Sequence, residues 1–169
     1  MVEIRDADGA DAEAIAALGN AFIPTTTYTW TERLETVEER AAWLAARRAA
    51  GWPVLVVDDE GDVVAWASFA DFRDTVRTPG YGIVAELSIH VRESHWGRGI
   101  GRLLMAGLED RARVMGKKVL VAGIDGSNER SIEFHRRLGF VETARMPGIG
   151  ELRGQRLDLV LMQREVSPG

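Results

Sequence analysis

Apolar residues recur along the chain with two periods, one near four and one near two, and their alternation predicts the elements. The segment Val2 to Ile4 predicts a short first strand. Asp8 then caps a helix with Asp11 in its first turn; Ile15, Leu18 and Phe22 follow at helical spacing until Pro24 ends the pattern. Thr25-Thr26-Thr27-Tyr28-Thr29-Trp30 has neither period. Thr36 and Glu39 make a capping-box pattern for the next helix, which closes at Gly51. The run Val54 to Val57 is a buried strand, Asp59-Glu60-Gly61 a turn, and Val63 to Ala70 the returning arm of a hairpin. A polar loop spans Asp71 to Gly82. A strand from Ala85 to Val91 leads into a glycine cluster, followed by a helix from about Gly99 to Met115. Val119 to Ile124 is another apolar run, Asn128 to Leu138 a helix stopped by Gly139, and strands near Phe140–Met146 and Leu157–Gln163 come last. A hairpin, then strand–helix–strand–helix, then two strands predicts an α/β (α+β) fold with helices on both faces of one central sheet.

The length of 169 residues suits a single domain, 1–169. Hydrophobic residues at 46% and charged residues at 28% balance as in a folded globule. No apolar run approaches the roughly 20 residues a bilayer span needs. The start, Met1-Val2-Glu3-Ile4-Arg5-Asp6, lacks the basic patch and apolar stretch of a secretory signal. Cysteine is absent, which excludes disulfides, zinc–thiolate sites and a cysteine nucleophile and suits a reducing cytoplasm. No metal site is expected. A net charge of -5 argues against a nucleic-acid footprint, though a local basic patch suffices for a small anion.

The glycine cluster is where the candidate chemistry begins. Gly97, Gly99 and Gly101 stand between a strand and a helix carrying Leu103, Leu104 and Leu108. Alternating glycines at a helix start leave backbone N–H groups unhindered, and with the helix dipole they suit a phosphate or pyrophosphate. Arg98 and Arg102 add positive charge. A tight strand-to-helix connection with no ligand uses the same residues. A P-loop is excluded, because Arg102-Leu103 follows Gly101 where Lys-Ser/Thr is needed. A dinucleotide fingerprint is excluded too: its third glycine would fall on Arg102 or Leu104.

The window Trp96-Gly97-Arg98-Gly99-Ile100-Gly101 resembles the acyl-CoA loop of the GNAT superfamily, Gln/Arg-x-x-Gly-x-Gly/Ala, with Trp96 departing from its usual first residue. Asn128, Ser131, His135 and Gly139-Phe140 resemble the second GNAT motif, with His135 where tyrosine is usual. Within the superfamily the chain is most similar to the phosphinothricin and methionine-sulfoximine acetyltransferases. That resemblance rests on Thr26–Trp30, Asp71-Phe72-Arg73, Glu86–Val91, Ser127–Phe140, and Met146-Pro147 through Leu157-Asp158 to Met162-Gln163. It covers nearly the whole chain. It departs at His90, where tyrosine is typical, in a longer loop between Arg73 and Glu86, and at 150–156, which lacks the usual lysine and tryptophan.

The resemblance implies a GNAT fold, acetyl-CoA as cosubstrate, a small-molecule amine acceptor and a homodimer. It places the catalytic base at Glu86; the residue type alone fits equally a carboxylate held by an arginine. Backbone around Ser88, Ile89, His90 and Val91 would polarise the thioester carbonyl and line the acyl arm. Trp96, Gly97, Arg98, Gly99, Ile100, Gly101 and Arg102 would hold the pyrophosphate. Asn128 would meet the pantetheine arm, or serve as a plain N-cap. His135 or Ser131 would protonate the leaving thiolate, although a packed helix-face histidine reads the same way. Arg73 would grip the acceptor's carboxylate, and Tyr28, Trp30, Phe72 and Tyr81 would wall its pocket, with plain packing roles open to each. Another amine acceptor (a polyamine, an antibiotic or a protein N-terminus) and a weakly catalytic CoA-binding module are the alternatives.

Overall fold

The structure, a computed structural model, describes residues Val2–Ser167; Met1 and the two last residues of the expected domain lie outside it. Seven strands form one sheet in the order β1-β2-β3-β4-β5-β7-β6. They are β1 (Val2–Asp6), β2 (Val54–Asp59), β3 (Asp62–Asp71), β4 (Val84–Val91), β5 (Val119–Asp125), β6 (Val141–Leu152) and β7 (Gln155–Glu165). Every pairing is antiparallel except β4 with β5. That parallel pair needs a crossover, supplied by α3 (Ile100–Val114).

Helices cover both faces, as the element order predicts. On one face α1 (Ala12–Asn20) and α2 (Val37–Ala49) bury Ile15, Leu18 and Leu44 against Val54, Val56 and Trp66. On the other, α3 and α4 (Glu129–Arg137) bury Leu104, Met105, Leu108 and Ile132 against Leu55, Leu87, Leu120 and Val160. The predicted caps form. Thr36 and Glu39 satisfy each other's backbone ahead of α2, and Asp8 and Asp11 do so ahead of a short 3-10 turn, Gly9–Asp11, that runs into α1. Helix α1 ends at Asn20, so Phe22 lies past it and is free to turn toward the glycine loop.

Strand β6 runs to Leu152, well beyond the predicted end. Met146-Pro147-Gly148 interrupts the alternation, and the ladder with β7 absorbs it as a register shift between Met146 and Gly150. Arg153 and Gly154, at φ +50° and +73°, turn the chain into β7.

Candidate active site

A split in the sheet builds the site. Strands β4 and β5 pair only from Val84↔Val119 to Leu87↔Ala122. Beyond that point β4 follows β3 to Val91, while β5 follows β7 to Asp125. Strand amides alternate in direction. The Arg92 N–H reaches the Val64 carbonyl on β3 at 2.8 Å, so those of Ser88 and His90 also face β3. The amides of Ile89 and Val91 therefore point into the gap, free of a strand partner. Of the backbone donors expected near Ser88, Ile89 and Val91, the last two are placed to polarise a carbonyl.

The gap opens into a cleft of about 1560 Å³ whose walls include Ile89, Val91, Gly99, Gly101, Asn128 and Ser131. Gly97 and Gly99 have φ of +77° and +82°, where a side chain is strained, and Gly99 is the N-cap of α3 with no side-chain cap. The first N–H groups of α3 are thus left for an anion. At Gly101 a Cβ would stand 2.8 Å from the Phe134 ring, so this glycine lets α3 approach α4. Arg98 behaves differently from the expectation: its guanidinium turns to Asp59 at 3.1 Å, leaving the loop its backbone contribution at that position. Arg102 lines the cleft. Trp96 donates its indole N–H to the Val91 carbonyl at 2.8 Å and stacks on Phe22, with 8° between the rings. The row of bare amides, the helix start and the split strand together fit a phosphate-bearing thioester.

On α4, the Asn128 side chain accepts from the Ser131 N–H at 3.1 Å, a true N-cap that also borders the cleft. His135 is buried, and its Nδ1 lies 2.8 Å from the Ser131 carbonyl. A carbonyl only accepts, so Nδ1 carries the proton. Burial pushes the imidazole's pKa down, against the pull of that hydrogen bond, and the ring is neutral with a bare, unpartnered Nε2. In this tautomer Nε2 has no proton to give. The His90 ring stacks on Trp66 at 4.7 Å, and its amide faces β3.

Glu86 pairs across the sheet with Ala70 and Val121 and places Oε1 over Gly123, where a Cβ would come within 3.1 Å of it. The surrounding walls strip part of its hydration and push its carboxyl pKa up, while the nearby charge of Arg73 opposes the rise. Arg73 itself lies over the Phe72 ring at 4.7 Å.

The expected acceptor residues do not form one wall. Tyr28 lines the large cleft. Phe72 and Tyr81 line a separate hollow of about 240 Å³ with Val84, Val121 and Leu161, on the Glu86 face of the sheet. Trp30 is a strap: its indole N–H donates to Asp125 at 2.7 Å, and its ring lies on Gly150, where a Cβ would stand 2.5 Å away. Burial pushes the Asp125 carboxyl up, but hydrogen bonds from Ser127 and Trp30 outweigh it and hold the group ionised.

Two further residues support the site without a signal in the sequence. Lys117 is buried and binds Asp71 and the Gly82 carbonyl, which ties down both ends of the Arg73 loop. Arg153 binds the Ile23 and Thr26 carbonyls and Glu32, which clasps the 21–36 segment to the β6–β7 hairpin.

Comparison with known proteins bears on this geometry. The family model described as "Acetyltransferase (GNAT) family" matches residues 15–140. The chain is 42% identical to the L-methionine sulfoximine/L-methionine sulfone acetyltransferase of Salmonella typhimurium, over 96% of this chain and 94% of the relative. The Salmonella typhimurium protein yncA, solved with its cofactor acetyl-CoA, superposes with a TM-score of 0.91 at 40% identity, covering 100% of this chain and 96% of that one. A GNAT superfamily phosphinothricin acetyltransferase from Sinorhizobium meliloti in complex with acetyl-CoA does so with a TM-score of 0.89 at 30% identity, covering 98% and 88%. A parted parallel strand pair beside a glycine-started helix, matched over nearly its full length by these proteins, makes the chain an acetyltransferase of the GNAT family, kin to the methionine sulfoximine/sulfone and phosphinothricin acetyltransferases.

Proposed function

We propose that the protein moves the acetyl group of acetyl-CoA to the α-amine of a small amino-acid-like acceptor of the methionine sulfoximine, methionine sulfone or phosphinothricin type. The observation that carries this reading is the position of Glu86 beside the split between β4 and β5, within reach of the Arg73 charge. An acceptor with an α-carboxylate and an α-ammonium needs one cation and one base close together, and Arg73 and Glu86 supply them. Direct attack follows. Glu86 takes the ammonium proton, the amine attacks the thioester carbonyl, and the Ile89 and Val91 amides receive the developing oxyanion. For the leaving sulfur, Ser131 is the better proton donor of the two candidates, since His135 spends its one proton on a backbone carbonyl.

The alternative acceptors, a polyamine, an antibiotic amine or a protein N-terminus, bring no free α-carboxylate beside the amine for Arg73 to meet. The decisive assay follows thiol release from acetyl-CoA with methionine sulfone, methionine sulfoximine, phosphinothricin, free amino acids, polyamines and peptides. Turnover confined to amino-acid analogues, and lowered about 100-fold or more by Glu86→Gln, is the expected outcome. Turnover of polyamines or peptides alone would overturn the acceptor assignment.

The same reading includes a homodimer. Its support is the edge strand β6, where Val141, Met146 and Ile149 are exposed. Sedimentation at micromolar concentration should give twice the 18.6 kDa chain mass, and a monomer would contradict it.

A further inference from the structure

The loop's departure at Trp96 has a counterpart on α4. Arg130, the second residue of that helix, lays its guanidinium over the Trp96 ring, 4.2 Å from its centroid. The indole is also stacked on Phe22, and its N–H is tied to the Val91 carbonyl, so the ring is fixed by two contacts besides the arginine. Among the described residues Arg130 has no ion-pair partner, whereas its neighbours Arg136 and Arg137 are both held by Glu133. Arg130 and Trp96 border the same cleft as Gly97, Gly99 and Gly101.

One of the loop's two cations is engaged elsewhere. Arg98 pairs with Asp59, which leaves Arg102 as the one of the two that lines the cleft. From this juxtaposition we propose that Arg130, held in place by Trp96, supplies the side-chain contact to the cosubstrate's pyrophosphate that Arg or Gln at position 96 would otherwise make. Trp96 is the positioning residue and Arg130 the binding one. An exposed arginine samples many rotamers, and a flat aromatic platform restricts them before the anion arrives. The guanidinium keeps its edge N–H groups free while its face rests on the ring, so stacking and phosphate binding are compatible.

The inference rests on acetyl-CoA occupying this cleft, and equilibrium binding separates the two claims. Calorimetric titrations of the whole protein would use CoA, 3′-dephospho-CoA and pantetheine, with thermal unfolding to confirm that each variant folds. Arg130→Ala should weaken CoA binding about tenfold, the scale of one charge-assisted contact, and leave pantetheine unchanged. Trp96→Ala should cost a similar factor, and the double variant little more than either single one, because both act through one contact. Trp96→Gln combined with Arg130→Ala should recover part of the loss, since glutamine restores the loop's usual first residue.

Wild-type affinity for CoA in Arg130→Ala would overturn the proposal, as would equal losses for CoA and pantetheine. A loss that vanishes with 3′-dephospho-CoA would move Arg130 to the 3′-phosphate and overturn the pyrophosphate assignment. Failure of the unmutated protein to bind CoA would instead defeat the cosubstrate reading beneath it.

Discussion

Replacing Arg73 by methionine should do two separable things. It removes the cation proposed to meet the acceptor's carboxylate, so kcat/KM for methionine sulfone should fall about 10- to 100-fold, the scale of a charge-assisted pair. It also removes the charge that holds the Glu86 carboxyl down, so the acidic limb of the pH profile should move further up. A rate loss without that movement would separate Arg73 from Glu86. His90 gives a stability test. Burial and the nearby Arg40 charge depress its pKa from 6.5 to about 4. Between those values the unfolded chain takes up a proton that the folded chain refuses, so stability falls as pH drops from 6.5 toward 4. The loss is on the order of 3 kcal/mol, and urea titrations at pH 7 and pH 4.5 should show that His90→Phe removes its share. Glu86 could be singled out in the sequence only through the family resemblance, whereas the alternating glycines mark the start of α3 by their own spacing. Lys117 carries no mark of either kind, since next to Lys118 it looks like any surface lysine and only the fold buries it.

The segment carrying Tyr28 and Trp30 has no regular secondary structure and is held from outside, by the β6–β7 hairpin and by the bond from Trp30 to Asp125 on β5. Gly150 on β6 admits the Trp30 ring, and Arg153 at the hairpin tip clasps the backbone below it. Gly150→Ala should push Trp30 off β6, break its bond to Asp125 and destabilise the protein by about 1–3 kcal/mol, the usual cost of overpacking. The KM for the acceptor should rise while CoA affinity stays near wild type, because Trp30 does not line the cosubstrate cleft. Unchanged kinetics and stability would show that the strap bears no load. Helix starts were readable at this scale, since Thr36 and Glu39 declare α2 by a local rule. The extent of β6 was not readable: Pro147 and Gly148 break its alternation, and only pairing with β7 carries it through.

For the molecule as a whole, the order of elements was enough to predict helices on both faces of one sheet. It did not reveal that β7 inserts between β5 and β6, nor that β4 and β5 part after four residue pairs. Both are long-range pairings with no local signature. The α3 side of the core locks that split in place. Leu104 is fully buried under it, so Leu104→Ala should cost about 2–5 kcal/mol in urea unfolding, and a cost below 1 kcal/mol would mean that the core is looser than described. In the proposed reaction Glu86, whose carboxyl its surroundings raise and the Arg73 charge restrains, is the base for acetyl transfer. The most direct test of that role is the pH dependence of kcat/KM with acetyl-CoA and methionine sulfone, measured for the wild type and Glu86→Gln. The wild type should show an acidic limb above the ordinary carboxylate range, and the variant should lose it together with most of the activity. The same limb and rate in both proteins would contradict that role.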